Sequence, residues 1–290
     1  MHRSAAWAAA GIAATALFAA TALAPRQGAA SADPAPTVFA HRGASAYAPE
    51  NTLAAVRRAA ALHVTWIEND VQRTRDGALI VSHDKTLART TDVEQLYPKR
   101  WPWRIGDFDL AEIKRLDAGS WYAARYQGQR VPTLQQYLDL LDHNGQNLLL
   151  ELKHPEAYPG IERQTVDTLA RSGWLDHRHL THRLVIQSSS APALRATRKL
   201  QPAVRTGFLG NPPVARLKEY ATFTDQINPP YKTVSRAYVE AVHSHKGPHG
   251  QIMRLNAWTV NSPDIAARLV ELGADGIISD RPDAIRDGTR

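Results

Sequence analysis

The chain has 290 residues, 43% hydrophobic and 22% charged, with no cysteine and a formal charge of +7. That composition supplies enough apolar material for a packed core and excludes a disordered chain. The absence of cysteine excludes a disulfide framework, and a chain of this length can rely on its core instead.

The first residues differ from the rest. His2 and Arg3 give a short basic start, Ala5 to Leu23 is an apolar run rich in alanine, and Ala30-Ser31-Ala32 has the small-x-small pattern of a signal-peptidase site. Residues 1–32 read as a secretory signal cleaved before Asp33. An uncleaved anchor is the competing reading, but alanine is only weakly hydrophobic. No Arg-Arg pair points to the twin-arginine route. With Arg3 and Arg26 removed and no acid lost, the mature chain carries +5. It is expected to be secreted, with no stable membrane anchor. No block of like charges suggests a nucleic-acid arm, so the basic balance reads as a solvated surface.

Short β-rich runs then alternate with helical patterns. The pattern predicts strand 37–43, helix 51–63, strand 66–74 and, after the Arg75-Asp76-Gly77 turn, a hairpin strand 78–84. Residues 85 to about 130 break the rhythm. They hold Tyr97, Trp101, Trp103, Trp121, Tyr122 and Tyr126, and read as an insertion whose aromatics form a small core of their own. The alternation resumes with helix 133–144, strand 147–154, helix 161–172, strand 183–189, helix 191–200 and strand 204–209. Strand 222–228, helix 235–246, strand 254–260, helix 263–272 and strand 276–279 follow. About eight β/α strands predict a TIM (β/α)8 barrel with a small insertion after the second strand, in one domain over residues 33–290. An open doubly wound sheet is the competitor, weakened because no Gly-x-Gly-x-x-Gly follows the first strand.

The polar residues that carry chemistry fall at strand C-termini. His41 and Arg42 end the first strand; Glu68 and Asp70 lie two apart on the second; Glu151 and Lys153 lie two apart on the third. Residues two apart on a strand share a face, and a TIM barrel builds its site at that end. Three carboxylates at one mouth repel one another unless a hard cation neutralises them, and Mg²⁺ and Ca²⁺ prefer oxygen ligands. A Glu or Asp alone is usually a salt-bridged surface residue, but these sit inside apolar strands, where an unpaired charge is costly. No cysteine and no H-E-x-x-H supports a zinc protease. Of the 12 histidines, His41 and His83 stand out because each ends an apolar strand. Histidine titrates near neutral pH, so such a pair suits proton transfer. His177, His179, His182, His243, His245 and His249 lie in polar stretches that read as surface. Arg42 and Lys153 suit a phosphate, or serve as partners for the carboxylates. Trp258 lines the pocket or fills the core; on periodicity alone, core wins.

The run H-R-G-x(5)-P-E-N-T from His41 to Thr52 resembles the opening motif of the glycerophosphodiester phosphodiesterase family, in the form of its secreted bacterial members. E-x-D-V-Q-x-T-x-D-G from Glu68, V-x-H-D-x-x-L-x-R-T-T from Val81, E-L-K from Glu151, W-T-V-N from Trp258 and the ending G-A-D-G-I-I-S-D-R-P are similar to its later motifs, in family order. The resemblance spans about residues 37 to 285. It implies a TIM barrel with an insertion after the second strand, and one divalent cation on Glu68, Asp70 and Glu151. Ca²⁺ is slightly preferred to Mg²⁺, because an exported enzyme meets abundant Ca²⁺. It implies His41 and His83 as the general acid–base pair, Arg42 and Lys153 as phosphate contacts, Trp258 near the glycerol or leaving group, and Glu50 and Asn51 as support. Asn69 departs from the family, standing in a slot that is often apolar there.

The reaction so implied splits a glycerophosphodiester into glycerol 3-phosphate and an alcohol. Attack by the glycerol 2-hydroxyl through a cyclic phosphate and direct attack by water both fit the sequence. Two other readings are carried forward: a phospholipase D-type enzyme for lysophospholipids or sphingolipids, and a non-catalytic secreted binding protein for phosphorylated ligands. Retention of both histidines with all three carboxylates argues against the second. A metal-dependent deaminase or amidohydrolase barrel lacks its H-x-H on the first strand. Head group and oligomeric state are not written in the sequence.

Overall fold

The computed structural model describes residues 35–289. The signal segment expected over residues 1–32 lies outside them. Strand β1 (Thr37–Ala40) leads through a loop to helix α1 (Leu53–Ala61), then to β2 (Trp66–Arg73) and β3 (Leu79–Val81). Short helices α2 (Val93–Leu96) and α3 (Leu110–Ile113) follow, then α4 (Leu134–Asn144), β4 (Asn147–Leu152), α5 (Ile161–Arg171), β5 (Leu184–Ser188), α6 (Ala191–Leu200) and β6 (Arg205–Leu209). The chain continues with α7 (Leu217–Tyr220), β7 (Gln226–Asn228), α8 (Arg236–His243), β8 (Arg254–Ala257), α9 (Pro263–Glu271), β9 (Gly276–Ser279) and α10 (Pro282–Gly288).

All strands but β3 pair in parallel, in the order β1-β2-β4-β5-β6-β7-β8-β9, and β9 closes on β1 with Ala40 beside Ser279. This is the expected eight-stranded barrel. Strand β3 pairs antiparallel with β2 as the expected hairpin, and Gly77 supplies the turn's positive φ. Several helices start where the sequence places an acceptor: the side chains of Thr52, Thr133, Ser190 and Ser235 each accept a backbone N–H of the first turn. Between the strands and helices, Ile67, Val71, Leu138, Leu141, Leu148 and Leu150 are wholly buried. Truncating any of the leucines to alanine would cost about 2–5 kcal/mol. Among the described residues, no helix is long and apolar enough to cross a membrane.

The stretch between β3 and α4 adds no strand to the barrel. Leu87, Val93, Ile105, Phe108, Ile113 and Leu116 form its own buried cluster, with Tyr97 and Trp103 packed against it. The other aromatics do not join that core. Trp101 is 77% exposed and Trp121 is exposed, while the hydroxyls of Tyr122 and Tyr126 donate to Ala46 O and Tyr47 O. The surface reading of His179 is corrected. It is buried against Trp174, with Nδ1 on Asp176 and Nε2 toward Asp142. Asp176, three residues before it, and Asp142 from α4 supply the polar partners that make this burial tolerable.

Candidate active site

Inside the barrel, the two-residue period stacks one layer on another. Phe39, Leu149, Val185 and Ile278 form an apolar floor. Two residues further along the same strands stand His41, Glu151, Gln187 and Asp280, hence one layer nearer the C-terminal mouth. Glu68 and Asp70 come in from β2, and Asp70 is the register partner of Glu151. Gln187, Asn228, Asn256 and Gln226 fill the rest of the interior with a hydrogen-bonded row of amides. Gly276 permits it: a Cβ there would stand 2.4 Å from Asn256 Oδ1.

The loop after β1 is tightly turned. Gly43 has φ +80° and lies so near α1 that a Cβ would approach the Ala55 carbonyl carbon at 2.8 Å. Arg42 and Asn51, which are not glycine, also take positive φ values of 56° and 57°. For Arg42 this costs of order 1–3 kcal/mol, a strain the surroundings must hold. In return its backbone N–H donates to Glu68 Oε2 at 2.9 Å, and its guanidinium reaches Glu50 at 2.8 Å and Asp70 at 3.5 Å.

Glu68, Asp70 and Glu151 are buried, and each offers an oxygen within 4.8 Å of the others. Burial pushes the Glu68 carboxyl well above the usual range, and Asp70 and Glu151 push it further. Glu151 is raised by burial and by Asp70. Burial also opposes the charge on Asp70, but Lys153 at 3.5 Å, with Arg42, holds its carboxyl below the usual range. Lys153 also bonds Glu151 at 2.9 Å. Asn51 donates to Asp70 at 2.8 Å while its own amide oxygen lies buried without a partner. Clustered carboxylate oxygens beside a free amide oxygen suit a hard divalent cation.

Each histidine is held by a carboxylate. His41 Nδ1 lies 2.7 Å from Asp280 Oδ1, and His83 Nδ1 lies 2.7 Å from Asp84 Oδ1. A carboxylate partner puts the hydrogen on Nδ1 and leaves Nε2 of the neutral ring free to exchange a proton. Asp280 in turn accepts from Ser45 and Asn261. Burial lowers the His83 imidazole's affinity for its proton, and nearby Arg42 adds to that, against the pull of Asp70 and Asp84.

His41, Arg42, Glu68, His83, Glu151, Lys153 and Trp258 line one cavity of about 120 Å³. The ten residues singled out in the sequence therefore converge, with Asp70 bonded beneath and Glu50 and Asn51 behind. Trp258 takes both roles left open for it, packing on the apolar floor while lining the cavity, with its indole N–H on Asn228 O. Sequence reasoning missed Asp280, Ser45, Asn261 and Arg89. Asp280, Asn261 and Arg89 stand inside motifs already recognised, but their partners are set by tertiary geometry.

Acids, bases and cations gathered at the C-terminal mouth of a parallel barrel define an enzyme site suited to an anionic substrate. Residues 41–284 match the model of the glycerophosphoryl diester phosphodiesterase family. A glycerophosphodiester phosphodiesterase of Bacillus subtilis (strain 168) is 34% identical, over 84% of this chain and 83% of its own. One from Caldanaerobacter subterraneus subsp. tengcongensis is 32% identical, over 86% and 95%. The solved structure of an Oleispira antarctica phosphodiesterase in complex with the product sn-glycerol-3-phosphate superposes with a TM-score of 0.72 at 30% identity, covering 88% of this chain and 96% of that one. The chain belongs to the glycerophosphoryl diester phosphodiesterase family, and so to the phosphoric diester hydrolases.

Proposed function

We propose that this enzyme hydrolyses glycerophosphodiesters to glycerol 3-phosphate and an alcohol, with a divalent cation on Glu68, Asp70 and Glu151. The observation that carries the reading is the convergence of those carboxylates with two carboxylate-held histidines on one cavity. The product bound to the Oleispira antarctica relative supports the substrate class. When bound, the cation would neutralise the carboxylates and polarise the phosphate. Arg42 and Lys153 hold the phosphate and stabilise charge on its oxygens. One of His41 and His83 takes a proton from the attacking hydroxyl, and the other gives one to the leaving alcohol, each through Nε2. Trp258 shapes the side of the pocket toward the glycerol or leaving group. Export, supported by the Ala-rich run and Ala30-Ser31-Ala32, favours Ca²⁺ over Mg²⁺.

The test is a panel of glycerophosphodiesters assayed after chelation, with Ca²⁺, Mg²⁺, Mn²⁺ or Zn²⁺ restored singly. Release of glycerol 3-phosphate that stops on chelation and returns best with Ca²⁺ is expected. No hydrolysis under any metal would sink the reading in favour of a binding protein, and preference for lysophosphatidylcholine over glycerophosphocholine would move it to a phospholipase D.

A further inference from the structure

Arg89 lies in the insertion, outside the cavity lining, and its side chain is 44% exposed. It nevertheless makes four hydrogen bonds to two carboxylates. Nε and one terminal nitrogen span Asp84 at 2.7 and 3.0 Å; the two terminal nitrogens span Glu50 at 2.8 and 2.7 Å. Each carboxylate continues to a group on the cavity. Asp84 Oδ1 holds His83 Nδ1, and Glu50 Oε1 holds the Arg42 guanidinium. A single planar fork therefore stands behind one imidazole and one cation that reach the cavity by separate routes.

The insertion meets the same loop twice more. The Tyr122 hydroxyl donates to Ala46 O and the Tyr126 hydroxyl to Tyr47 O, both at 2.6 Å. That loop runs between Arg42 and Asn51, the two residues with positive φ. Three insertion side chains therefore grip a segment with positive-φ, non-glycine backbone at both of its ends.

We propose that Arg89 is a positioning residue for the hydrolysis, through which the insertion sets His83 and Arg42 in register with each other. The proposal rests on the functional reading above. Arg89 keeps two carboxylates close without mutual repulsion and fixes the oxygen that each presents to its partner. Loss of the fork would leave Glu50 free to pull Arg42 and Asp84 free to swing with His83. Lysine supplies the charge but not the fork.

The experiment compares R89A and R89K with the wild-type enzyme on glycerophosphocholine, with and without added guanidinium ion. R89A is expected to lower kcat about 10- to 100-fold, the scale of losing an outer support, with an unaltered far-UV spectrum. Guanidinium should restore several-fold of that loss in R89A, urea none, and R89K should recover less than guanidinium does. Wild-type turnover in R89A overturns the proposal. So does a loss that lysine fully repairs and guanidinium leaves untouched. If the wild-type enzyme hydrolyses no glycerophosphodiester, the functional reading fails on its own. Arg89 is then judged by calorimetry with sn-glycerol 3-phosphate: R89A must bind it more weakly through the loosened Arg42, and equal affinity overturns the proposal.

Discussion

The barrel mouth and the insertion achieve order by opposite means. At the mouth, strand register places the three carboxylates: Glu151 stands beside Asp70 because β4 pairs with β2, two residues above an apolar floor. The charges there are buried and crowded, and the surrounding helix–strand core offsets their cost. The insertion has almost no regular pairing. It is held by a small core around Phe108 and by side chains that bond backbone, such as Lys114 on Val131 O and Asp117 on three N–H groups. Periodic structure supplies the chemistry, and the irregular segment braces the loop that presents it.

The comparison is tested hardest at the mouth. H41A and H83A are each expected to lower kcat by at least ~10²-fold, because each removes a proton-transfer group. Their urea midpoints should stay near that of the wild type, because both imidazoles face the cavity rather than the core. Near-native turnover in either variant would remove that histidine from the acid–base pair.

A change in the insertion should act the other way, on stability first. Phe108 is wholly buried, edge-on to Tyr97 and beneath the Arg100 guanidinium at 3.8 Å. F108A should cost about 3–5 kcal/mol. Limited proteolysis should cut within residues 85–130 before the barrel, and activity should fall as the brace loosens. If cleavage is no faster there and turnover is unchanged, the insertion is not a brace.

Much of the mouth was legible because strand alternation is rigid. An acid two residues from another acid, inside apolar strands, has one place to go. What depends on contact between distant segments was not legible. His41 and Asp280 are 239 positions apart, and nothing local to either names the other. Strand β7 is shorter than expected because the N–H groups of Thr222, Phe223 and Thr224 turn back to Glu219 O and Tyr220 O at the end of α7. Helices α7 and α10 were not anticipated; α7 is a single turn, and α10 is a short terminal helix that begins at Pro282 itself, the first-turn position where proline is tolerated.

Asn69 offers a smaller effect. Alternation along β2 turns it to the face opposite Glu68 and Asp70. The structure buries it completely, beside Leu150, with neither side-chain polar atom partnered. An unmet buried amide costs ~1–3 kcal/mol. N69L should raise stability by about that amount in urea denaturation and leave kcat unaltered. A loss of stability would mean that the amide is satisfied by something a leucine displaces.

The smallest expected effect separates Asp117 from the two buried glutamates of the mouth by pH. Burial works against the Asp117 charge, but the N–H groups of Gly119, Ser120 and Gly128 outweigh it and hold the carboxyl down to about 2. The unfolded value is near ~3.9. A depressed carboxyl contributes stability that is complete above about pH 4 and lost as pH falls through its folded value. The group is only partly buried, so solvent screening limits the contribution to about 0.5–1 kcal/mol. D117N should therefore unfold at lower urea than the wild type at pH 6, and the gap should narrow by pH 3 and close near pH 2. Of the carboxylates at the mouth, Asp70 is likewise held low, whereas Glu68 and Glu151 are shifted upward and should not share this behaviour. A gap that persists unchanged at pH 2 would show that Asp117 orders its loop by shape rather than by charge.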